Sequence, residues 1–189
     1  MKHKKEGMWV FGYGSLMHKS SLWKTVPSAR NAFPGLVEGF RRSFNISSTR
    51  RFDPDAGKLI CVLNLVPGES DDRLNGVCFE IDPESYGELI DREKIYEAHK
   101  VKVRHYKYQD TSVDASIFWA RRLKPYRYLL GSRVQDAYLD LCIEGCSLFG
   151  EEFVNDFKST TDFWGISPDV CESRIWEPRL HKAKAETRK

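Results

Sequence analysis

The chain of 189 residues has no long apolar run and no paired cysteine motif. No stretch approaches the ~18 consecutive apolar residues of a membrane span. The glycine-rich segment at residues 12–15 interrupts the first apolar run before it reaches the length of a signal core. The cysteines form an odd set without a zinc or redox spacing: Cys61, Cys78, Cys142, Cys146 and Cys171. We therefore expect no membrane association, and reduced, mostly buried thiols in a cytoplasmic protein.

Signatures of nucleotide, serine-hydrolase and metal sites are also missing. The dinucleotide pattern GxGxxG would need glycine at position 17, where the chain has Met17, and no GxxxxGK[ST] loop occurs. Ser15 does not stand in a GxSxG elbow, because Tyr13 and Met17 occupy the glycine positions. The five histidines form no HxH or HxxxH pair. We therefore expect no metal site.

Neither sign of charge dominates. The 30 Lys and Arg residues against 27 Asp and Glu leave a net charge of +3, which is too balanced to indicate a nucleic acid partner. The basic excess lies at the two ends, residues 1–5 and 179–189, as is typical of solvated tails. The length and the 41% hydrophobic content predict one domain over residues 1–189. Its core is expected at about 8–150, with an extension at about 151–189 whose role we do not predict.

Strands outnumber helices in the pattern of the chain. Apolar runs predict strands at 9–11, 36–46 with a bulge at Gly39, 58–66, 74–81, 101–108 and 112–119, with Pro34-Gly35 as a break. Helices are predicted from Pro83 to about 93–95 behind an Asp82 N-cap, at 134–148 and, more briefly, at 151–157. This order favours an α+β domain or partly closed barrel over repeated βαβ units.

A glycine-rich loop follows the first apolar run, at residues 12–17. Its glycines allow a sharp turn and a close approach of the backbone to a ligand. Consecutive backbone N–H groups at the end of a strand form a cradle for an anion or a carbonyl group. An ordinary strand-ending turn explains the same residues. The motif alone leaves both interpretations open.

Glu93 is the second candidate feature. It stands near the C-terminal end of its predicted helix, where the helix dipole disfavours a carboxylate and should raise its pKa. Desolvation in an apolar pocket would act in the same direction and yield a useful general acid–base. The alternative is a surface glutamate paired with Arg92 or Lys94.

Several segments, in order and together, resemble the γ-glutamylcyclotransferase superfamily. They are residues 11–16 (FGYGSL), 39–42 (GFRR), 76–77 (GV) and 91–96 (DREKIY), followed by a helix carrying Tyr138 and Gly145. The resemblance implies an α+β fold, a small mixed β-barrel with flanking helices. It also implies an enzyme that releases 5-oxoproline from a small γ-glutamyl amine or peptide without a metal or organic cofactor.

The resemblance carries roles to particular residues. Glu93 is implied to be the catalytic acid–base, and Tyr13, Gly14, Ser15 and Leu16 are implied to line the substrate pocket.

Three further side chains are candidate substrate contacts. Arg41 and Arg42 fall on opposite faces of a regular strand, so that one of them can face the pocket, and Arg41 is the candidate. Tyr96 is a second candidate contact. Tyr138 either contacts substrate or packs in the core with its hydroxyl satisfied.

The substrate stays open at this stage. Where the glutathione-specific ChaC-like branch carries tryptophan soon after GYGSL, this chain has His18-Lys19-Ser20-Ser21 before Trp23. A γ-glutamylamine cyclotransferase, a metabolite-tailoring enzyme of the same fold and a non-catalytic small-molecule binding module are the alternatives. We make no prediction of oligomeric state.

Overall fold

The computed structural model describes residues 7–93, 95–108, 110–121 and 124–179. Its strands are β1 (Met8–Gly12), β2 (Arg30–Glu38), β3 (Phe40–Asp53), β4 (Lys58–Pro67), β5 (Arg73–Ile81), β6 (Glu97–His105), β7 (Ser112–Trp119) and β8 (Thr161–Phe163). The main helices are α1 (Lys19–Thr25), α2 (Pro83–Arg92), α3 (Arg133–Ser147) and α4 (Glu151–Ser159). A 3₁₀ turn spans Ser15–Met17, and a short helix at Pro168–Val170 continues as a π-helix over Cys171–Trp176.

Strands β1, β5, β2, β6 and β7 pair in that order to close a barrel. β1 runs parallel to β7, whereas the other neighbouring strands are antiparallel. The predicted small mixed barrel with flanking helices is therefore confirmed. Because closure leaves β1 hydrogen-bonded on both sides, the loop that follows it starts from a fixed point.

A second sheet, in the order β4-β3-β8, stands beside the barrel. The prediction of one strand over 36–46 is wrong, because the chain leaves the barrel at Gly39, between β2 and β3. Gly39 has a φ of +78°, a conformation that glycine adopts without the steric cost of a Cβ. The predicted break at Pro34-Gly35 is also wrong, since both residues pair with β5 inside β2.

Helix α2 begins as its sequence predicts. The Asp82 carboxylate accepts hydrogen bonds from the backbone N–H groups of Glu84 (3.0 Å) and Ser85 (2.9 Å), and Pro83 occupies the first turn. The helix ends at Arg92, so Glu93 stands at its C-cap. No helix among the described residues is long and apolar enough to cross a membrane.

Helix α3 joins the second sheet to the end of the glycine-rich loop. Its buried Gln135 accepts a hydrogen bond from the Cys61 N–H and donates one to the Cys61 carbonyl, both at 2.8 Å, as a further strand beside β4 would. Gly145 lies against the loop: a Cβ placed there would be 2.7 Å from the backbone nitrogen of His18. All five cysteines are buried and free, in agreement with the expected thiols.

The part of the segment after residue 150 that the structure describes packs into the same core. Phe153 and Phe157 of α4 are fully buried, and Ile175 and Trp176 are almost fully buried. β8 pairs in parallel with β3, from Arg42 opposite Thr161 to Phe44 opposite Phe163. Residues 151–179 thus complete the second sheet and cover one side of it.

Candidate active site

The loop after β1 turns through a 3₁₀ segment at the end of the barrel. Met17 N–H donates to the Gly14 carbonyl (3.0 Å), and His18 N–H donates to the Ser15 carbonyl (3.2 Å). The N–H groups of Gly14, Ser15 and Leu16 donate to no acceptor in the described part of the chain. Three successive residues therefore retain backbone donors for a ligand, as the cradle interpretation requires.

A cavity of about 110 Å³, here called the inner cavity, opens against this loop. Its lining includes all the expected site residues except Arg41, namely Tyr13, Gly14, Ser15, Leu16, Glu93, Tyr96 and Tyr138. Leu63, Leu89 and Phe118 supply apolar walls. The sequence motifs that are far apart in the chain thus meet at one small cavity.

A second cavity, of about 490 Å³, adjoins it and is here called the outer cavity. Ser15, Leu16, Glu93, Tyr96 and Tyr138 line both cavities. Glu93 therefore stands at the boundary between a small inner space and a larger outer one.

Glu93 is half-buried and is held by the end of α2. Its N–H donates to the Leu89 carbonyl (2.9 Å), and its own carbonyl accepts from the Tyr96 N–H (2.8 Å). The same turn thus fixes Glu93 and Tyr96 relative to each other. Glu93 is the only carboxylate among the residues described as lining the inner cavity.

The tyrosines of the inner cavity are held in their protonated form. Burial is the main cause that raises the pKa of Tyr13 well above its ordinary value, followed by the proximity of Tyr96 and Glu93. Burial, followed by the proximity of Glu93, also raises the pKa of Tyr96. Burial raises that of Tyr138. These phenols are therefore hydrogen-bond donors at neutral pH.

The tyrosines differ in the use of their hydroxyls. The Tyr13 hydroxyl donates to the Phe118 carbonyl at 2.6 Å, which fixes its ring in the wall. The Tyr96 hydroxyl has no hydrogen-bond partner within the described ranges. Tyr96 is therefore better placed than Tyr13 to offer its hydroxyl to a ligand.

Arg42, not Arg41, supports the loop. The Arg42 side chain is 0% exposed, and its Nε donates to the Tyr13 carbonyl at 2.8 Å. Nη1 donates to Thr160 Oγ1 at 2.6 Å, and Nη2 donates to Asn75 Oδ1 at 2.9 Å. Burial away from water is the first cause that lowers the pKa of Arg42, to about 10. Arg42 thus remains charged at neutral pH.

Arg41 does not reach either cavity. It lies on the opposite face of β3, where Nη1 pairs with Asp72 at 2.9 Å and Nη2 donates to the Ser159 carbonyl at 3.0 Å. Successive side chains of a strand point to opposite faces, and the inward position belongs to Arg42. The structure therefore does not place the candidate contact Arg41 with the other site residues.

Sequence analysis missed Asn75 and Thr160, the partners of Arg42. Asn75 lies between Leu74 and Gly76 in the buried part of β5, and a polar residue in a buried strand is a signal that it has a partner. Thr160 lies beyond the motifs that carry the family resemblance, so no signal in the sequence connects it to the loop.

No group of three or more His, Cys, Asp and Glu side chains that could hold a metal ion occurs among the described residues. The polar groups of the described residues around the inner cavity include one carboxylate, the phenols, the hydroxyl of Ser15 and backbone N–H groups. Such a set can bind a small polar group and move protons.

Comparison with known structures gives the same fold. A γ-glutamyl cyclotransferase of 15% identity superposes with a TM-score of 0.66, covering 95% of this chain and 99% of that one. A γ-glutamyl cyclotransferase specific to glutathione, from yeast, has 17% identity and a TM-score of 0.57, with 82% and 97% covered. At these identities the likeness concerns the fold.

Sequence comparison gives one relative of higher identity over a short segment, and it also matches the chain to a protein family. γ-Glutamylcyclotransferase 2-3 of Arabidopsis thaliana is 47% identical over 49 residues, which are 25% of this chain and 22% of that relative's length. The sequence model of the ChaC-like protein family matches residues 8–144, most of the chain. The matched range begins with β1 and includes the loop, Glu93 and Tyr138. This chain belongs to the ChaC-like protein family.

Proposed function

We propose that the protein is a γ-glutamylcyclotransferase that releases 5-oxoproline from a small γ-glutamyl amine or peptide. The observation that carries the proposal is the meeting of Glu93 with the unpaired donors of the glycine-rich loop at one cavity. The family membership and the fold support the same activity. A cytoplasmic location stays a prediction.

The reaction is an intramolecular displacement. The α-amine of the γ-glutamyl group attacks its own γ-carbonyl carbon, a five-membered lactam forms, and the bond to the leaving amine breaks. Because both reacting groups belong to one molecule, a cavity that holds the substrate bent removes much of the entropic cost. The inner cavity is smaller than the ~300–1,000 Å³ of pockets for drug-sized ligands, which suits a single glutamyl group.

Glu93 handles both proton transfers. The attacking amine arrives as an ammonium group with a reference pKa of ~8, so a base must take its proton. The Glu93 carboxylate accepts that proton and then delivers it to the nitrogen of the leaving amine. The attacking nitrogen loses a second proton as the lactam N–H forms, and Glu93 passes this proton on in the same way, so that the amine departs as an ammonium ion. Its position at the boundary of the two cavities suits this sequence, since the amine leaves through the outer one.

The loop supplies donors for negative charge. The N–H groups of residues 14–16 bind either the oxyanion that develops on the γ-carbonyl or the α-carboxylate of the substrate. The Tyr96 hydroxyl is a further donor at the same cavity.

The test is release of 5-oxoproline from a panel of γ-glutamyl peptides and γ-glutamyl amines. We expect Glu93→Gln to lower kcat by at least about 10²-fold, because the amide cannot accept the proton. Glu88→Gln, an exposed position on the same helix, is the matched control and should keep full activity. Circular dichroism and the melting temperature should be unchanged in both variants.

Two outcomes contradict the proposal. Full activity of Glu93→Gln would remove Glu93 from the chemistry. No turnover of any panel member, combined with a rise in melting temperature when 5-oxoproline or a γ-glutamyl compound binds, would establish a non-catalytic binding module.

A further inference from the structure

The outer cavity carries an excess of positive charge. Lys24 of α1 and Arg50 and Arg51 of β3 line it, together with the hydroxyl groups of Ser21, Thr25, Ser48 and Thr49. Glu93 is the only acidic residue among the described residues of this lining. A protein surface usually intersperses both signs of charge, so three cations around one cavity need a physical reason.

In the described part of the chain, no carboxylate pairs with these cations. Within the described ranges, none of Lys24, Arg50 and Arg51 forms an ion pair with a carboxylate. Some arginines elsewhere do pair, as Arg41 pairs with Asp72 and Arg179 with Asp136. The cations of the outer cavity are therefore free to bind an anion.

A bulge in β3 puts both arginines at the cavity. The pairing of β3 with β4 shifts register between Ser47 and Phe52, which stand opposite Cys61 and Leu59. Residues 48–51 are thus extra residues in the ladder, and a bulge of this kind turns side chains toward a new direction. The Ser48 hydroxyl accepts from the N–H groups of Arg50 (3.2 Å) and Arg51 (2.9 Å), which fixes the backbone.

Arg51 also extends its charge toward the reaction site. Its guanidinium carbon lies 5.1 Å from the centre of the Tyr138 ring, which lines both cavities. Burial raises the pKa of Cys142, which follows Tyr138 on α3, to about 12, and the charges of Arg42 and Arg51 partly oppose that rise. The Arg51 charge is thus held at the boundary where the leaving amine forms.

We infer that the outer cavity binds a carboxylate of the leaving group, through Arg50, Arg51 and Lys24. The inference rests on the proposed function. The inner cavity takes the γ-glutamyl part, Glu93 protonates the leaving nitrogen at the boundary, and the departing amine lies in the outer cavity. A guanidinium group binds a carboxylate through paired charge-assisted hydrogen bonds. The substrates are then γ-glutamyl amino acids or peptides with a free carboxylate, and γ-glutamyl amines without one are poor substrates.

The test compares substrates that differ by one carboxylate. γ-Glutamylalanine and γ-glutamylethylamine form one such pair, and glutathione and its C-terminal amide form another. We expect kcat/KM to be at least about tenfold higher for the carboxylate member of each pair, as for a site built around a polar group of its substrate. The preference should shrink as salt is added, because exposed charges are screened.

Variants locate the effect. Combining Lys24→Gln, Arg50→Gln and Arg51→Gln should bring the two members of each pair to about equal kcat/KM. The loss should appear with the carboxylate substrates, while the uncharged members keep their rates. The control combines Arg133→Gln with Arg174→Gln, two exposed arginines outside both cavities, and should leave the preference intact.

The outcomes separate the inference from the proposed function. Turnover with equal rates for both members of each pair, or a preference for the uncharged members, overturns the carboxylate site while the cyclotransferase activity stands. A preference that survives in the variant lacking Lys24, Arg50 and Arg51 assigns it to other residues and overturns the inference too. No turnover of any substrate overturns the proposed function, and the inference with it.

Discussion

At the scale of single residues, the glycine-rich loop depends on the charged side chain of Arg42, which lines neither cavity. Arg42 holds the Tyr13 carbonyl from beneath, and Asn75 and Thr160 fix its other nitrogens. The face of the Phe157 ring lies 4.6 Å from its guanidinium carbon. A fully buried charge is tolerated only when its donors are hydrogen-bonded. Removing either Arg42 or one of its acceptors therefore leaves a buried polar group without a partner.

We predict that Arg42→Lys lowers the free energy of unfolding by at least about 2 kcal/mol. One ammonium group cannot reach the acceptors that the planar guanidinium reaches, and each buried acceptor left unpaired costs about 1–3 kcal/mol. Urea unfolding measures the difference. Arg41→Lys, one residue away in a partly exposed ion pair, is the control and should change stability by less than about 1 kcal/mol. Equal effects of the two variants would argue against the supporting role of Arg42.

Residue by residue, the sequence predicted the parts of the site that lie in short motifs. The loop residues, Glu93, Tyr96 and Tyr138 line the inner cavity as expected, although their roles in binding and catalysis remain predictions. The contacts of Arg42 could not be predicted in this way. They join residues 33 and 118 positions apart, a pairing set by the register of two sheets and by no local pattern.

At the scale of elements, α3 packs on the loop with almost no space between them. Gly145 makes this possible, because a Cβ there would be 2.7 Å from His18 N and 2.8 Å from the Met17 carbonyl carbon. Tyr138 on the same helix lines both cavities. The position of α3 therefore sets the position of the loop.

Gly145→Ala should destabilise the protein by about 1–3 kcal/mol and lower its activity, since either the helix or the loop backbone must move. The gain expected from replacing a helical glycine is about 0.5–1 kcal/mol and is smaller than this strain. Gly87→Ala is the control: Gly87 is exposed on α2, and a Cβ there would meet nothing within 4 Å. Thermal unfolding should show a lower melting temperature for Gly145→Ala and a higher one for Gly87→Ala. Stabilisation by Gly145→Ala would contradict the tight packing.

Element boundaries followed the sequence where a local signal decides them. Asp82 and Pro83 start α2 as predicted, because capping needs neighbouring residues alone. Pro34-Gly35 was misjudged as a break, since the barrel accommodates it: the Pro34 carbonyl still accepts from the Tyr106 N–H at 2.8 Å. The prediction of a bulge at Gly39 is wrong, because Gly39 separates two strands. Whether a glycine bends one strand or separates two depends on the sheets around it.

At the scale of the whole molecule, the C-terminal segment belongs to the structure that holds the site. The family match ends at residue 144, yet Thr160 and Phe157 contact Arg42, and the Phe153 carbonyl accepts from Asn75 Nδ2 at 2.7 Å. The division predicted from sequence, a core to about 150 and an extension after it, remains untested as a statement about domains.

Phe157→Ala should lower the free energy of unfolding by about 3–5 kcal/mol, because it leaves a cavity in a fully buried position. It should also lower 5-oxoproline release, since the ring that covers Arg42 is lost. Lys158→Ala, the next residue of α4, removes only an exposed ion pair with Glu172 and should cost less than about 1 kcal/mol. Urea unfolding and the activity assay check both. Independence of activity from Phe157 would separate α4 from the loop.

The backbone donors of the loop have a consequence for how this protein tolerates mutation. The N–H groups of Gly14, Ser15 and Leu16 are part of the main chain, so exchanging one side chain for another does not delete them unless the new residue is proline. Glu93, in contrast, acts through a side chain that one codon change can replace. Under the proposed function, the capacity to bind a γ-glutamyl group is robust and the capacity to convert it is fragile. Under that function, a single nucleotide substitution that replaces Glu93 would leave a protein that still binds the substrate but no longer converts it.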